Sequence, residues 1–352
     1  MPIRRSGEAD RRVARTRTTL GAVASAAGVS PATVSNVVNG KFNMMSATTR
    51  HVVQRLVRDM NYRPHSAARS LRLAHRRTIG LVIVDPSPSF LADPFNTQIA
   101  AGLSNHLNRH GFGLLVNGGS AEMLGEGFVI RNDATDALCL IASGAAKERQ
   151  GVYRILAGAA QPVLVFQERP PAALSDIAWV LQNDRQGGRL LGERLLARGA
   201  RRLAMLVPKR TWPAMLARER GVRDALAGAP GSSLAMVRAA DEGLASTQRA
   251  LADHIASAGL PDAILGGNDQ MAIAIVKWLL AAGHRVPADA MVTGFNAFAS
   301  HQYSTPTLTT MRSPAYEMGE RGAALLLDRL RHGRFARRET ILGVELLVGD
   351  SD

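Results

Sequence analysis

The chain of 352 residues has one cysteine and only 5% aromatic residues. A lone thiol cannot form an internal disulfide, so a disulfide-stapled secreted module is excluded. Long apolar runs are missing too: stretches such as Ile79–Val84 fall far short of the 18 or more residues that cross a bilayer. Met1–Leu20 carries six Arg and no apolar core, which does not read as a secretory signal, and a reducing cytoplasm is the expected location. The nine His form no HExxH motif, and no GxSxG elbow, Walker A loop or GxGxxG after a strand is present. No catalytic residues, metal ligands or cofactor are therefore expected, and the chain reads as a non-enzyme. Cys139, inside the apolar run ALCLIA, reads as a small core residue.

Acidic residues are scarce in one region only. Residues 1–77 hold 15 Lys and Arg against 3 Asp and Glu, while residues 78–352 hold 28 against 26. Almost all of the net charge of +14 is therefore N-terminal. Such asymmetry points to a polyanion-binding head on a nearly neutral body, against the alternative of an inconsequential basic tail. Residues 1–17 lack periodicity and read as a disordered basic arm.

From Thr18 onward Leu20, Val23, Ala24 and Ala27 keep the spacing of one helix face, which Gly28 ends. Ser30 followed by Pro31 starts a second short helix, with Val34, Val37 and Val38 as its buried side. Ser46 can cap a third, with Val53, Leu56, Val57 and Met60 inward. Helix, tight turn and second helix give the spacing of a helix-turn-helix, which offers the start of its second helix to the major groove. Asn36 suits adenine and the Ala32 methyl suits thymine, while Thr33 and Ser35 suit phosphate oxygens; Ser30 and Pro31 belong to the same surface. Thr49 and Arg50, with Ser46 and Thr48, open the third helix towards the backbone. Three packed helices with polar faces and no DNA are the alternative.

Beyond Thr78 apolar runs of strand length alternate with amphipathic helices. Strands are expected at 79–84, 114–116, 137–141, 162–166, 203–207, 263–265 and 291–294. Helices are expected near 97–110, 147–159, 185–198, 215–227, 245–258, 269–282 and 315–331. The fold class is thus an all-α helix-turn-helix headpiece followed by an α/β domain of parallel sheets covered by helices, in two lobes with a cleft at the strand ends.

The stretches TLGAVASAAGVSPATVSNVVNG, TTRHVVQRLVRDMNYRPHSAARSLR and RRTIGLVIVD closely resemble the headpiece, hinge and first strand of the lactose-repressor (LacI/GalR) family. QNDRQGG at 182–188, ARERGVRDAL at 217–226, GGNDQMAIAI at 266–275, GFN at 294–296, STPTLTT at 304–310 and SPAYEMGERGAALLL at 313–327 extend the likeness to about 330 residues. The resemblance implies a homodimeric, possibly tetrameric, repressor that binds palindromic double-stranded operator DNA under the control of a small metabolite, with a body similar to periplasmic sugar-binding proteins. It divides the chain into a headpiece at 18–63, a hinge and linker at 64–77, and an effector-binding body at 78–352. The N-lobe is expected at about 78–178 and 308–336, and the C-lobe at about 179–307 and 337–350.

In the hinge the resemblance implies that Leu71 wedges into the minor groove, flanked by Arg69 and Arg72 for phosphates; packing of Leu71 against the body is the alternative. In the cleft it implies effector contacts from Phe95, Asn96, Gln167, Arg218, Asn268 and Asn296. Arg218 could clamp hydroxyls or a carboxylate, or instead pair at the surface with Glu219 or Asp224. Asn268 could equally cap the helix that follows it, and Asp184 reads as a cap. Gln167 and Asn296 stand where many sugar-responsive members carry an acid, which leans the effector towards a sugar acid unless Glu168 substitutes. The long segment DPSPSFLADP can lid the cleft, and Trp212 can replace an aromatic missing near 241–242. A solute-binding protein and a sugar-modifying enzyme with a DNA-binding head remain the competing functions.

Overall fold

The computed structural model describes residues 18–43, 45–62, 76–85, 90–124, 134–159, 161–172, 174–210 and 212–352. The chain divides into two compact units between Arg76 and Arg77, within the linker expected at 64–77. The basic arm and the hinge residues Arg69, Leu71 and Arg72 lie outside the described residues.

The first unit contains α1 (Leu20–Ala27), α2 (Pro31–Val38) and α3 (Ala47–Asp59). Each begins on a hydroxyl whose oxygen accepts a backbone N–H of the first turn: Thr19 from Ala22, Ser30 from Thr33 and Ser46 from Thr49, each at 3.1 Å. Gly28 closes α1 at φ +64°, a left-handed conformation that carries no penalty without a Cβ. Val23, Ala24, Val34, Val37, Val53 and Tyr62 form the core. Of the four inward residues expected in α3, Val53 alone is fully buried, and Leu56, Val57 and Met60 only line the core's edge. Tyr62, beyond the third helix, supplies the missing bulk.

The second unit holds two parallel sheets. In the larger, β1 (Thr78–Val84), β2 (Gly113–Gly119), β3 (Ala137–Ala142), β4 (Val163–Phe166), β5 (Ile177–Gln182) and β11 (Glu339–Leu342) stand in the order β11-β5-β4-β3-β1-β2. The smaller orders β6 (Arg202–Pro208), β7 (Ser233–Ala239), β8 (Ala263–Gly266) and β9 (Met291–Thr293) as β7-β6-β8-β9. Central strands are apolar along their whole length because helices cover both faces. The covering helices are α4 (Pro94–Arg109), α5 (Ala121–Leu124), α6 (Ala146–Ala157), α7 (Asp184–Ala197), α8 (Pro213–Ala227), α9 (Leu244–Ala258), α10 (Asp269–Ala281) and α11 (Ala315–His332). Two short antiparallel strands, β10 (Thr310–Arg312) and β12 (Glu345–Leu347), form a separate pair.

Two of the expected boundaries change. β5 runs to Gln182 and β11 pairs with it in parallel, so both belong to the first lobe although residues 179–182 and 339–342 were expected in the second. β5, β7, β10, β11 and β12 have no counterpart among the expected strands. β7 and β11 are half-exposed edge strands, β10 and β12 are only three residues long, and β5 is an interior strand that the sequence reading missed despite its apolar run Ile177–Leu181. Helices α7 and α8 pack so closely that a methyl on Gly188 would run into the Arg218 carbonyl, and one on Gly221 into that of Arg185. That close approach sets Arg218 directly over the start of α7.

Candidate functional site

In the headpiece α2 turns Val34 and Val37 inward and leaves Ser30, Pro31 and Ala32 exposed, with Thr33, Ser35 and Asn36 half-buried beside them. The two caps are tied sideways as well: the Ser30 and Thr33 hydroxyls lie 3.0 Å apart, and those of Ser46 and Thr49 2.9 Å. Asn39 donates its amide to the Ser35 carbonyl at 2.7 Å, fixing the end of α2. No acidic residue occupies the first turn of any of the three helices, so their partial positive ends are not neutralised. The Arg50 guanidinium lies over the Phe42 ring at 4.5 Å, with its Nε buried and without a hydrogen-bond partner.

In the body a cavity of about 590 Å³ opens at the carboxyl ends of β1, β3 and β4. Phe95, Asn96, Gln167, Arg218, Asn268 and Asn296, widely separated in sequence, all line it. Phe95 and Asn96 sit in the first turn of α4, whose cap Asp93 accepts the Phe95 N–H at 2.9 Å. The Asn96 amide donates to the Phe90 carbonyl at 2.9 Å, fixing one end of the long segment after β1; residues 86–89 of that segment lie outside the described residues. Gln167 and Asn296 are held at φ +67° and +112°, conformations costly for residues with a Cβ and concentrated at binding sites. Trp212 reaches the same cavity from the start of α8, joined by Phe90 and Phe298.

Arg218 is neither an open clamp nor a surface partner of Glu219 or Asp224. It is buried at 3% exposure, its Nε donates to Asp184 Oδ1 at 2.8 Å, its Nη1 to the Gly267 carbonyl at 2.6 Å, and its Nη2 to Asn296 Oδ1 at 3.3 Å. The guanidinium stacks on Phe295 at 3.6 Å. Asp224 pairs instead with Arg185 and Glu219 with Arg223. Asp184 is the first residue of α7 rather than its cap, which is Asn183. Burial pushes the Asp184 carboxyl above its usual range, and Arg218 and Gln182 pull it back. Asn268 does cap α10, its Oδ1 accepting from Met271 N at 2.9 Å while its amide donates to Glu242.

The acids of the cavity are not where the sequence suggested. Glu168 is engaged by Arg149 at 2.8 Å and Tyr153 at 3.0 Å and is absent from the lining. Asp85, Asp93, Glu242 and Asp269, the first residue of α10, line the cavity in its place. Burial raises the Asp93 carboxyl above its usual range, and the nearby Asp85 charge adds to the rise, opposed by the Phe95 N–H and Arg218. Burial, then the Asp93 charge, lifts Glu242 to about 7. The sequence reading missed these acids because they stand at strand ends, loop starts and helix starts, with no spacing of their own. A second miss is the His106–His110 pair, one turn apart on α4 and stacked at 4.7 Å, which lies outside the cavity. Among the described residues no group of three or more His, Cys, Asp or Glu could hold a metal ion, and no helix is long and apolar enough to cross a membrane.

A three-helix unit with a helix-turn-helix and a two-lobed α/β unit with its cavity at the strand ends together have the architecture of a DNA-binding transcription regulator. Residues 19–65 match the model for bacterial regulatory proteins of the lacI family, and residues 193–351 match the periplasmic binding protein-like domain. The HTH-type transcriptional regulator CelR of Thermobifida fusca is 29% identical over 341 residues, covering 96% of this chain and 99% of its own. A solved CelR–cellobiose complex aligns at TM-score 0.70 with 26% identity, covering 96% of this chain and all of that one. The lac repressor dimer bound to operator and an anti-inducer shares the fold at TM-score 0.81 and 24% identity, over 95% and 99% of the two chains. The chain thus joins a lacI-type DNA-binding segment to a periplasmic binding protein-like domain, and its relatives are lacI-family regulators.

Proposed function

We propose that the protein is a homodimeric repressor, acting in the cytoplasm, that binds a palindromic operator and is controlled by a sugar held in the body's cavity. The observation that carries this reading is the conjunction in one chain of a hydroxyl-capped recognition helix, on a unit holding nearly all the excess positive charge, with a polar-and-aromatic cavity at parallel strand ends. Two-fold symmetry would place half-sites about 10 bp apart, or a multiple of that. Ser30, Pro31, Ala32, Thr33, Ser35 and Asn36 face the major groove, Thr49, Arg50, Arg69 and Arg72 the phosphates, and Leu71 the minor groove at the centre of the site. CelR's complex with cellobiose supports a sugar as the class of effector. Phe95, Asn96, Gln167, Asn268 and Asn296 touch it, and Arg218, tied to Asp184 and Asn296, mainly shapes the wall. Lobe closure on the sugar changes the affinity for DNA, and the DNA changes the affinity for the sugar by the same factor.

The test is selection of a palindrome from random duplexes, followed by anisotropy titrations of wild type and Asn36→Ala at several salt concentrations. Loss of one adenine contact costs about 1–3 kcal/mol against the selected site and leaves random DNA unaffected. Equal weakening on both DNAs removes Asn36 from base readout, and a wild-type protein that selects no palindrome overturns the reading.

A further inference from the structure

We infer that Glu242 is the specificity-determining residue of the cavity: it accepts hydroxyl hydrogens of a neutral sugar and excludes sugars that carry a carboxylate or phosphate. This rests on the cavity being the effector site and adds the charge class of the effector.

Glu242 stands between β7 and α9, at the cavity wall, and no comparison assigns it a role. One carboxylate oxygen takes the Asn268 amide, whose own carbonyl caps α10, so the side chain is aimed by a bond to a residue already fixed. Among the described residues no hydrogen bond engages its second oxygen, which can accept from a ligand. The charges acting on it come from three sides. Asp93 belongs to the cap of α4 and Asp85 to the end of β1, both in the first lobe, and Arg218 lies on α8. Among the described residues Arg218 is the one cation in the lining, and it is engaged by Asp184, the Gly267 carbonyl and Asn296. A carboxylate or phosphate entering the cavity would therefore meet four acids, Asp85, Asp93, Glu242 and Asp269, and a guanidinium with three of its five N–H donors already bonded. Hydroxyls are the complementary groups, since each donates one hydrogen to a carboxylate and brings no charge. The aromatic walls formed by Phe90, Phe95, Trp212 and Phe298 suit the apolar faces of a pyranose ring.

Burial and the Asp93 charge both disfavour the Glu242 anion and lift the group to about 7, near half protonation at neutral pH. Accepting hydroxyl hydrogens favours the anion, so binding should release a proton and affinity should rise with pH through about 7. The experiment is calorimetry on the full-length protein with two matched pairs, cellobiose with cellobionate and glucose with glucuronate, from pH 6 to 8. Each titration is repeated in two buffers of different ionisation enthalpy, on wild type, Glu242→Gln and Glu242→Ala.

In wild type at least one neutral sugar should bind tenfold or more tighter than its acid, release a fraction of a proton, and weaken severalfold from pH 8 to pH 6. Glu242→Gln keeps the bond to Asn268, so it should fold, yet it should lose both proton release and pH dependence and narrow the preference over the acid. Tighter binding of an acid by wild type overturns the inference. So does proton uptake, an unchanged profile in both variants, or binding of none of the four sugars. Binding of an acid that still alters DNA affinity would leave the ligand-controlled repressor standing, whereas failure to select a palindrome sinks that reading independently.

Discussion

The two units begin their helices differently. In the headpiece all three helices open on a hydroxyl, Thr19, Ser30 and Ser46, with no acid in the first turn. In the body several helix starts carry a carboxylate: Asp93 caps α4, Glu148 lies in the first turn of α6, and Asp184 and Asp269 open α7 and α10 behind the amide caps Asn183 and Asn268, while α8 and α9 have no acid there. Either chemistry satisfies orphan N–H groups, so stability alone does not choose between them. The difference lies in what is left for a partner. A hydroxyl cap leaves the positive end of the helix available to an external anion, while a carboxylate neutralises it. The three headpiece helix starts are thus open to an external anion, as the proposed contact with DNA phosphates requires, whereas those of α4, α6, α7 and α10 in the body are not.

The comparison breaks most severely at Arg218. Its guanidinium compensates a buried carboxylate at 2.8 Å, and removing it leaves Asp184 buried without a counter-charge. Arg218→Ala should cost the body about 3–5 kcal/mol. Trp179, Trp212 and Trp278 all lie in the body and none in the headpiece, so tryptophan fluorescence during denaturation isolates that loss. A shift under 1 kcal/mol would show that the pair is not structural. A double variant with Asp184→Asn should recover part of the loss, since the unpaired charge is then gone.

The headpiece is broken by apolar truncation instead. Val34 is fully buried in a core of six residues, so Val34→Ala should cost about 2 kcal/mol, a large share for so small a unit. DNA affinity should fall while the tryptophan transition and sugar binding stay in place. Parallel loss in both units would mean that they do not melt independently.

The same contrast explains what was legible in the sequence. Headpiece elements follow local rules: Gly28, Ser30–Pro31 and Ser46 each sit within a turn of the boundary they set, and valines at helical spacing give the core. Tyr62 escaped because its contacts come from beyond the periodic stretch. The body's architecture was legible from alternating strand and helix signals, apart from the half-exposed edge strands β7 and β11, the short pair β10 and β12, and the interior strand β5. The six residues for which the family resemblance implied effector contacts line one cavity, although no local sequence pattern pointed to them. Arg218's true partner was not legible, since Asp184 lies 34 residues away and meets it through the close approach of α7 and α8 at Gly188 and Gly221. Nor were Asp85, Asp93 and Glu242 recognisable as acids of one site, because only the fold places them together.

The smallest effect on stability makes the sharpest test of the difference in caps. Ser46→Ala removes the acceptor for Thr49 N and should cost the headpiece about 1 kcal/mol. Ser46→Asp restores an acceptor of equal capping strength and should bring stability back to within about 0.5 kcal/mol of wild type. If α3 offers its amino end to the DNA backbone, however, the new carboxylate converts the headpiece cap into the body's kind. Operator affinity should then fall about tenfold at low salt, in a variant as stable as wild type, and the deficit should shrink as salt rises. Anisotropy and thermal melting on the same samples separate the two effects. An aspartate that restores both stability and affinity would show that the hydroxyl serves the helix alone, and that the phosphates are held elsewhere.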